Sequence, residues 1–124
     1  MVPAGAPGAR VDKPVVLAVE DDVLIRLHLC DLLRDAGFTV VEAGDAREAL
    51  RALKAHPHIA LVVTDLRMPG EMDGNYLIRE IRKMYPKIKV ISASAHPMDE
   101  PVTASVSKPY NVDELISLIK SLLD

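Results

Sequence analysis

The chain has 124 residues, 49% of them hydrophobic and 27% charged, which suits one globular domain with one real core. A net charge of -3 and the lack of a basic run argue against nucleic acid as a partner, and no apolar stretch reaches the length of a membrane span. With a single cysteine, Cys30, there is no intramolecular disulfide, and no secretory leader is apparent, so a cytoplasmic protein is expected.

In chain order, Met1 to Lys13 is rich in Pro, Gly and Ala without periodicity and is expected to be a disordered tail, with the folded domain over residues 14–124. Val15 to Val19 is an all-apolar strand that ends in Glu20, Asp21 and Asp22. From Val23 to Ala36, Ile25, Leu29, Leu32, Leu33 and Ala36 recur at helical spacing, with Gly37 placed to close the helix. Cys30 falls inside this pattern and reads as buried filler. Phe38 to Ala43 is a strand. Asp45 then caps a helix that carries Ala46, Ala49, Leu50 and Leu53 inward and ends at His56-Pro57.

Ile59 to Thr64 is short, β-branched and apolar on both faces, the pattern of a strand buried between two helical layers. It ends in a lone carboxylate, Asp65, and Pro69-Gly70 turns the chain away. Asp73-Gly74 leads into a helix expected to bury Leu77 or Ile78, Ile81 and Met84 before Pro86 stops it. Ile88 to Ala93 is the fourth strand, and Val102 to Val106 a short fifth. Pro97 and Pro101 make a long helix between them unfavourable. Asn111 caps a last helix with a stripe of Val112, Leu115, Ile116, Ile119, Leu122 and Leu123, which is core packing. Alternating strands and helices imply a parallel sheet covered on both faces.

Ligands of such sheets bind beyond the carboxyl ends of the strands. If the first and third strands are neighbours there, Glu20, Asp21 and Asp65 converge. At about 4 Å and an effective dielectric near 20, each like-charge pair costs on the order of 4 kcal/mol. The cluster is tolerable if one acid keeps its proton or a cation binds. A few oxygen ligands open to water suit Mg²⁺, which keeps several waters and also coordinates phosphate. Ser94, at the end of the fourth strand, can donate to a phosphoryl oxygen, and Lys108 after the fifth can supply a point charge. Taken singly, each is an ordinary turn serine or surface lysine.

Glu20-Asp21-Asp22, Asp65-Leu66-Arg67-Met68-Pro69, Asp73-Gly74, Ser94-Ala95 and Lys108-Pro109, in this order, resemble the receiver domain of bacterial two-component response regulators. The match covers roughly residues 14–124. The resemblance implies an α/β, doubly wound, flavodoxin-like fold with a five-stranded parallel sheet of order 2-1-3-4-5. It implies that Asp65 accepts a phosphoryl group from a sensor histidine kinase or a histidine phosphotransfer protein. It further implies that Glu20, Asp21, Asp65 and the backbone carbonyl of Arg67 hold Mg²⁺, while Ser94 and Lys108 bind phosphoryl oxygens. Arg67 and His96, two residues beyond Asp65 and Ser94, would tune access of water to the phosphoryl group.

The chain departs from the receiver pattern in two places. Only the twelve residues His96 to Ser107 separate Ala95 from Lys108, roughly two helical turns fewer than the pattern needs, so the fourth helix is expected to be shortened or absent. Ser105 stands where receivers carry an aromatic that swings inward on phosphorylation, and Tyr110 does not align with it. Both departures fall on the face through which many receivers dimerise or signal. The short form is similar to stand-alone receivers associated with sensor kinases, with no effector domain expected after Asp124. The expectation is a signalling protein rather than an enzyme, a monomer or weak homodimer, acting by protein contact. A dehalogenase-type phosphatase would want an acid where Arg67 stands. The other alternative is a receiver-like interaction module that takes no phosphate.

Overall fold

The computed structural model describes residues 13–65, 74–94, 102–107 and 110–124, with Gly74, Ser94 and Ser107 described by their backbone alone. The expectations placed on the tail, on Arg67, His96 and Lys108, and on the length of the fourth-helix segment lie largely or wholly outside these residues. The elements in chain order are β1 (Val15–Val19), α1 (Val23–Asp35), β2 (Thr39–Ala43), α2 (Ala46–Ala55) and β3 (Ile59–Asp65). They continue with α3 (Gly74–Met84), β4 (Lys89–Ser94), β5 (Ala104–Ser107) and α4 (Val112–Leu123). All neighbouring strands pair in parallel, in the order β2-β1-β3-β4-β5, so the flavodoxin-like 2-1-3-4-5 sheet is realised. Among the described residues no helix stands between β4 and β5.

Period-two alternation divides the apolar strands between two cores. Val16, Ala18, Leu61, Val63 and Ile91 face a layer built from Leu29, Cys30 and Leu33 of α1 and Leu115 and Ile119 of α4. Leu17, Val19, Val62 and Val90 face the opposite layer, with Ala46, Ala49 and Leu53 of α2 and Leu77, Ile78 and Ile81 of α3. Burial on both faces is the reason β1 and β3 are continuous apolar runs rather than alternating ones. At roughly 2 kcal/mol for each fully buried aliphatic side chain, these two layers dominate the stability of the fold.

Local signals place the ends. Asp22, Asp45 and Asn111 each accept a hydrogen bond from the backbone N–H three residues on, and so cap α1, α2 and α4. Gly37, at φ 103°, ends α1 in the left-handed region that side-chain-bearing residues avoid. Four details differ from the sequence reading. Leu77 and Ile78 are both buried, whereas Met84 is 49% exposed: it is the last residue of α3 and lines the cleft toward α2. Ile25 is 49% exposed, with Val23, Leu24 and Leu27, because α1 packs on the core only from Leu29 onward. β5 runs two residues later at its start than Val102, and Thr103 instead bonds across to β4 through its amide and hydroxyl. Phe38 precedes β2 and is buried beneath it.

Candidate functional site

The site is built at the carboxyl ends of β1 and β3. In their parallel register Val19 lies opposite Thr64, so Glu20 and Asp65, the next residue along each chain segment, stand side by side at the carboxyl edge of the sheet. One carboxylate oxygen from each of Glu20, Asp21 and Asp65 lies within 4.8 Å of the others. Glu20 and Asp65 are 5% and 7% exposed, and Asp21 is open to solvent. Two buried acids and one wet acid, all oxygen donors, make a half-open cradle of the type that a hard divalent cation occupies while keeping water on its outer side. Mutual repulsion among three such groups is relieved by a cation between them.

Two hydrogen bonds fix this corner. The Asp22 amide donates to Glu20 Oε2 at 3.1 Å, turning that carboxylate back over the β1–α1 connection. Arg26, one turn into α1, donates from Nη1 to the backbone carbonyl of Glu20 at 2.8 Å and from Nε to Glu42 Oε1 at 3.4 Å. Glu42 also accepts from Arg34 Nη2 at 3.0 Å, so the last turn of α1 and strand β2 belong to the same polar frame. Gly44 lies against this frame. A Cβ there would stand 3.0 Å from Arg26 Nη1 and 3.2 Å from Glu48 Oε1, and Glu48 accepts the Gly44 amide at 2.7 Å.

The sequence reading named Glu20, Asp21 and Asp65, and the fold brings these three together. Ser94 closes β4 one residue beyond Ala93, the register partner of Asp65. Ser107, which precedes Lys108, pairs with Ser94 across β5. Lys108 itself, Arg67 with its carbonyl, and His96 lie outside the described residues. The reading missed Asp22 as a cap and Arg26 as the anchor of the Glu20 backbone. The first was visible as an Asp directly before the first helical residue. The second had no local signal, since it joins positions six apart across a turn.

A parallel 2-1-3-4-5 sheet with an acidic triad at its switch point defines the receiver class of α/β domains. Residues 16–120 match the family model of the response regulator receiver domain, and the chain belongs to that family. It is 33% identical to the sensor kinase CckA of Brucella abortus over 98% of its own length and 14% of that protein's. A CheY-like response regulator receiver domain from Methanospirillum hungatei superposes with a TM-score of 0.83 at 26% identity, covering 91% of this chain and 95% of that one. The receiver domain of the hybrid histidine kinase CckA superposes at 0.75 with 29% identity, covering 89% and 99%. The chain spans 14% and 24% of the first two curated relatives it matches, a sensor kinase and a response regulator. No helix among the described residues is long and apolar enough to cross a membrane.

Proposed function

We propose that this chain is a phosphoacceptor receiver, loaded at Asp65 by a histidine kinase or a histidine phosphotransfer protein, and that it signals by protein contact. The observation that carries the reading is the approach of Glu20, Asp21 and Asp65 to within 4.8 Å at the ends of β1 and β3. These carboxylates fit Mg²⁺, which when bound would neutralise charge on the phosphoryl oxygens and the acids together. Asp65 is the nucleophile: a carboxylate oxygen attacks phosphorus, the P–N bond of the donor phosphohistidine breaks, and its electron pair stays on the imidazole nitrogen. Catalysis is positioning and charge neutralisation, for which the rigid strand ends supply the geometry. Ser94 is assigned a hydrogen bond to a phosphoryl oxygen and Lys108 the countercharge. Arg67 would contribute its backbone carbonyl to the cation, and with His96 it would govern access of the water that later hydrolyses the acyl phosphate.

On this reading the chain is a signalling protein that assists its own phosphorylation and dephosphorylation, and it works in the cytoplasm, where histidine kinases present phosphohistidine. Intact mass after incubation with acetyl phosphate and Mg²⁺ tests it. One phosphoryl adduct in the wild type, absent from Asp65→Asn, is the expected result. No adduct in the wild type would favour a receiver-like module that takes no phosphate, and a persistent adduct in the variant would move the acceptor elsewhere.

A further inference from the structure

Away from the acid corner, the cleft between α2 and α3 forms a shallow groove of about 480 Å³ lined by Arg47, Leu50, Arg51, Lys54, Met84 and Tyr85. Its floor is apolar. Leu50 and Tyr85 rest on the core beneath, and Met84 is 49% exposed. Its rim is cationic: Arg47, Arg51 and Lys54 recur at i, i+4 and i+7 and therefore form one stripe along α2. Among the described residues none of the three makes an ion pair, and the one acid of α2, Glu48, is turned to the Gly44 amide. In a chain of net charge -3, three cations thus line one side of an apolar trough.

We infer that this α2–α3 groove is a docking site for an acidic amphipathic helix of a protein partner. Seven residues of helix rise about 10 Å, so the cationic stripe is too long for a single small anion and matches acids spaced i, i+4 and i+7 on a facing helix. The apolar floor takes a Leu- or Met-type side chain from the same helix, the usual division between an anchoring residue in a groove and a charged rim that sets orientation and on-rate. The phosphate backbone of a nucleic acid offers no apolar side chain to the floor, and a flat lipid surface would not fill a trough. None of the groove's lining residues belongs to the acid triad, so docking there is independent of the phosphoacceptor reading.

The test is titration of the ¹⁵N-labelled full chain with a helical peptide carrying Leu at its centre and Glu at i, i+4 and i+7. A peptide with Lys in place of Glu, a short DNA duplex and anionic phosphatidylglycerol vesicles serve as the other arms. The expected result is saturable shifts at amides of Arg47–Lys54 and Tyr85 with the Glu peptide alone. Affinity should weaken at least tenfold in Arg51→Glu and in Arg47→Glu, and stay unchanged in Asp65→Asn. Both charge-reversal positions are exposed, and thermal melts check that the fold is retained. Absence of groove shifts, equal response to the Lys peptide, tighter binding of DNA or vesicles, or shifts that arise from self-association would each overturn the inference.

Discussion

The guanidinium of Arg26 donates to the backbone carbonyl of Glu20 at 2.8 Å, so a helix residue holds the strand-end acid by its main chain, while the Asp22 amide holds its carboxylate at 3.1 Å. Arg26 is a positioning residue on this geometry. Arg26→Ala should cost about 1–2 kcal/mol of stability from the lost charged hydrogen bond and packing. It should also weaken Mg²⁺ binding several-fold while Asp65 stays intact. Arg26→Lys can restore one donor but not the second contact to Glu42, and should recover part of the metal affinity. Urea melts and Mg²⁺ titration of the three proteins separate the two effects. Unchanged Mg²⁺ affinity in Arg26→Ala would show that the bond serves the fold alone.

Asp21 is the exposed member of the triad, so its removal leaves the buried pair in place. In Asp21→Ala, Mg²⁺ affinity should fall at least tenfold with little change in the apo melting temperature. The wild type should gain melting temperature as Mg²⁺ is raised, in proportion to RT ln(1 + [Mg²⁺]/Kd). Titration at matched ionic strength checks both, and equal affinities would mean that Asp21 is not a ligand.

Ser92 lies at the centre of β4, fully buried, and its hydroxyl has no hydrogen-bond partner among the described residues. An orphan hydroxyl in an apolar layer costs about 1–3 kcal/mol. Its register partner on the edge strand is the exposed Ser105, the position at which the receiver pattern has an aromatic ring. Ser92→Ala should therefore be neutral or stabilising by about 1 kcal/mol in equilibrium unfolding, the reverse of most core truncations. A loss above 1 kcal/mol would mean that the hydroxyl is paired in solution.

Cys30 is fully buried, and burial, reinforced by the charge of Glu42, pushes its thiol up to about 11 from the ordinary 9.0. The thiol ionises more readily in the unfolded chain. Stability is thus undiminished below pH 9 and falls between pH 9 and about 11, by roughly 3 kcal/mol in total. Cys30→Ser or Cys30→Ala should flatten that part of the stability–pH curve. The native thiol should react with a disulfide reagent at pH 8 only at the rate of unfolding.

The strands, the helices and the acids at the strand ends were legible because each rests on a contiguous signal: apolar runs that end in acids, broken by glycine, proline and caps. The 2-1-3-4-5 order came from the resemblance to receivers. The convergence of Glu20 and Asp65 needed only the adjacency of two strands, which the resemblance to receivers supplied. The exposure of Met84 and Ile25 was not legible, since helical periodicity marks a stripe but not how far along the helix the opposing layer extends. Arg26 escaped for a different reason. A surface-type residue at a helical position outside the apolar stripe has solvent as its default partner, and only the folded turn brings the Glu20 carbonyl within reach.

One consequence concerns the breathing of α1. Asp22 joins two structures at once: its side chain caps the first turn through the Ile25 amide at 3.1 Å, and its own amide holds Glu20 Oε2. Fraying of that turn therefore removes one hydrogen bond from the Glu20 carboxylate, and a cation seated in the cradle would oppose the fraying. Local opening and cation release would then be coupled, so the exchange of the Ile25 and Arg26 amide protons with solvent should slow as the site fills. The helix start, with Val23 and Leu24 lying bare on the surface, would then act as a gauge of whether the site behind it is filled.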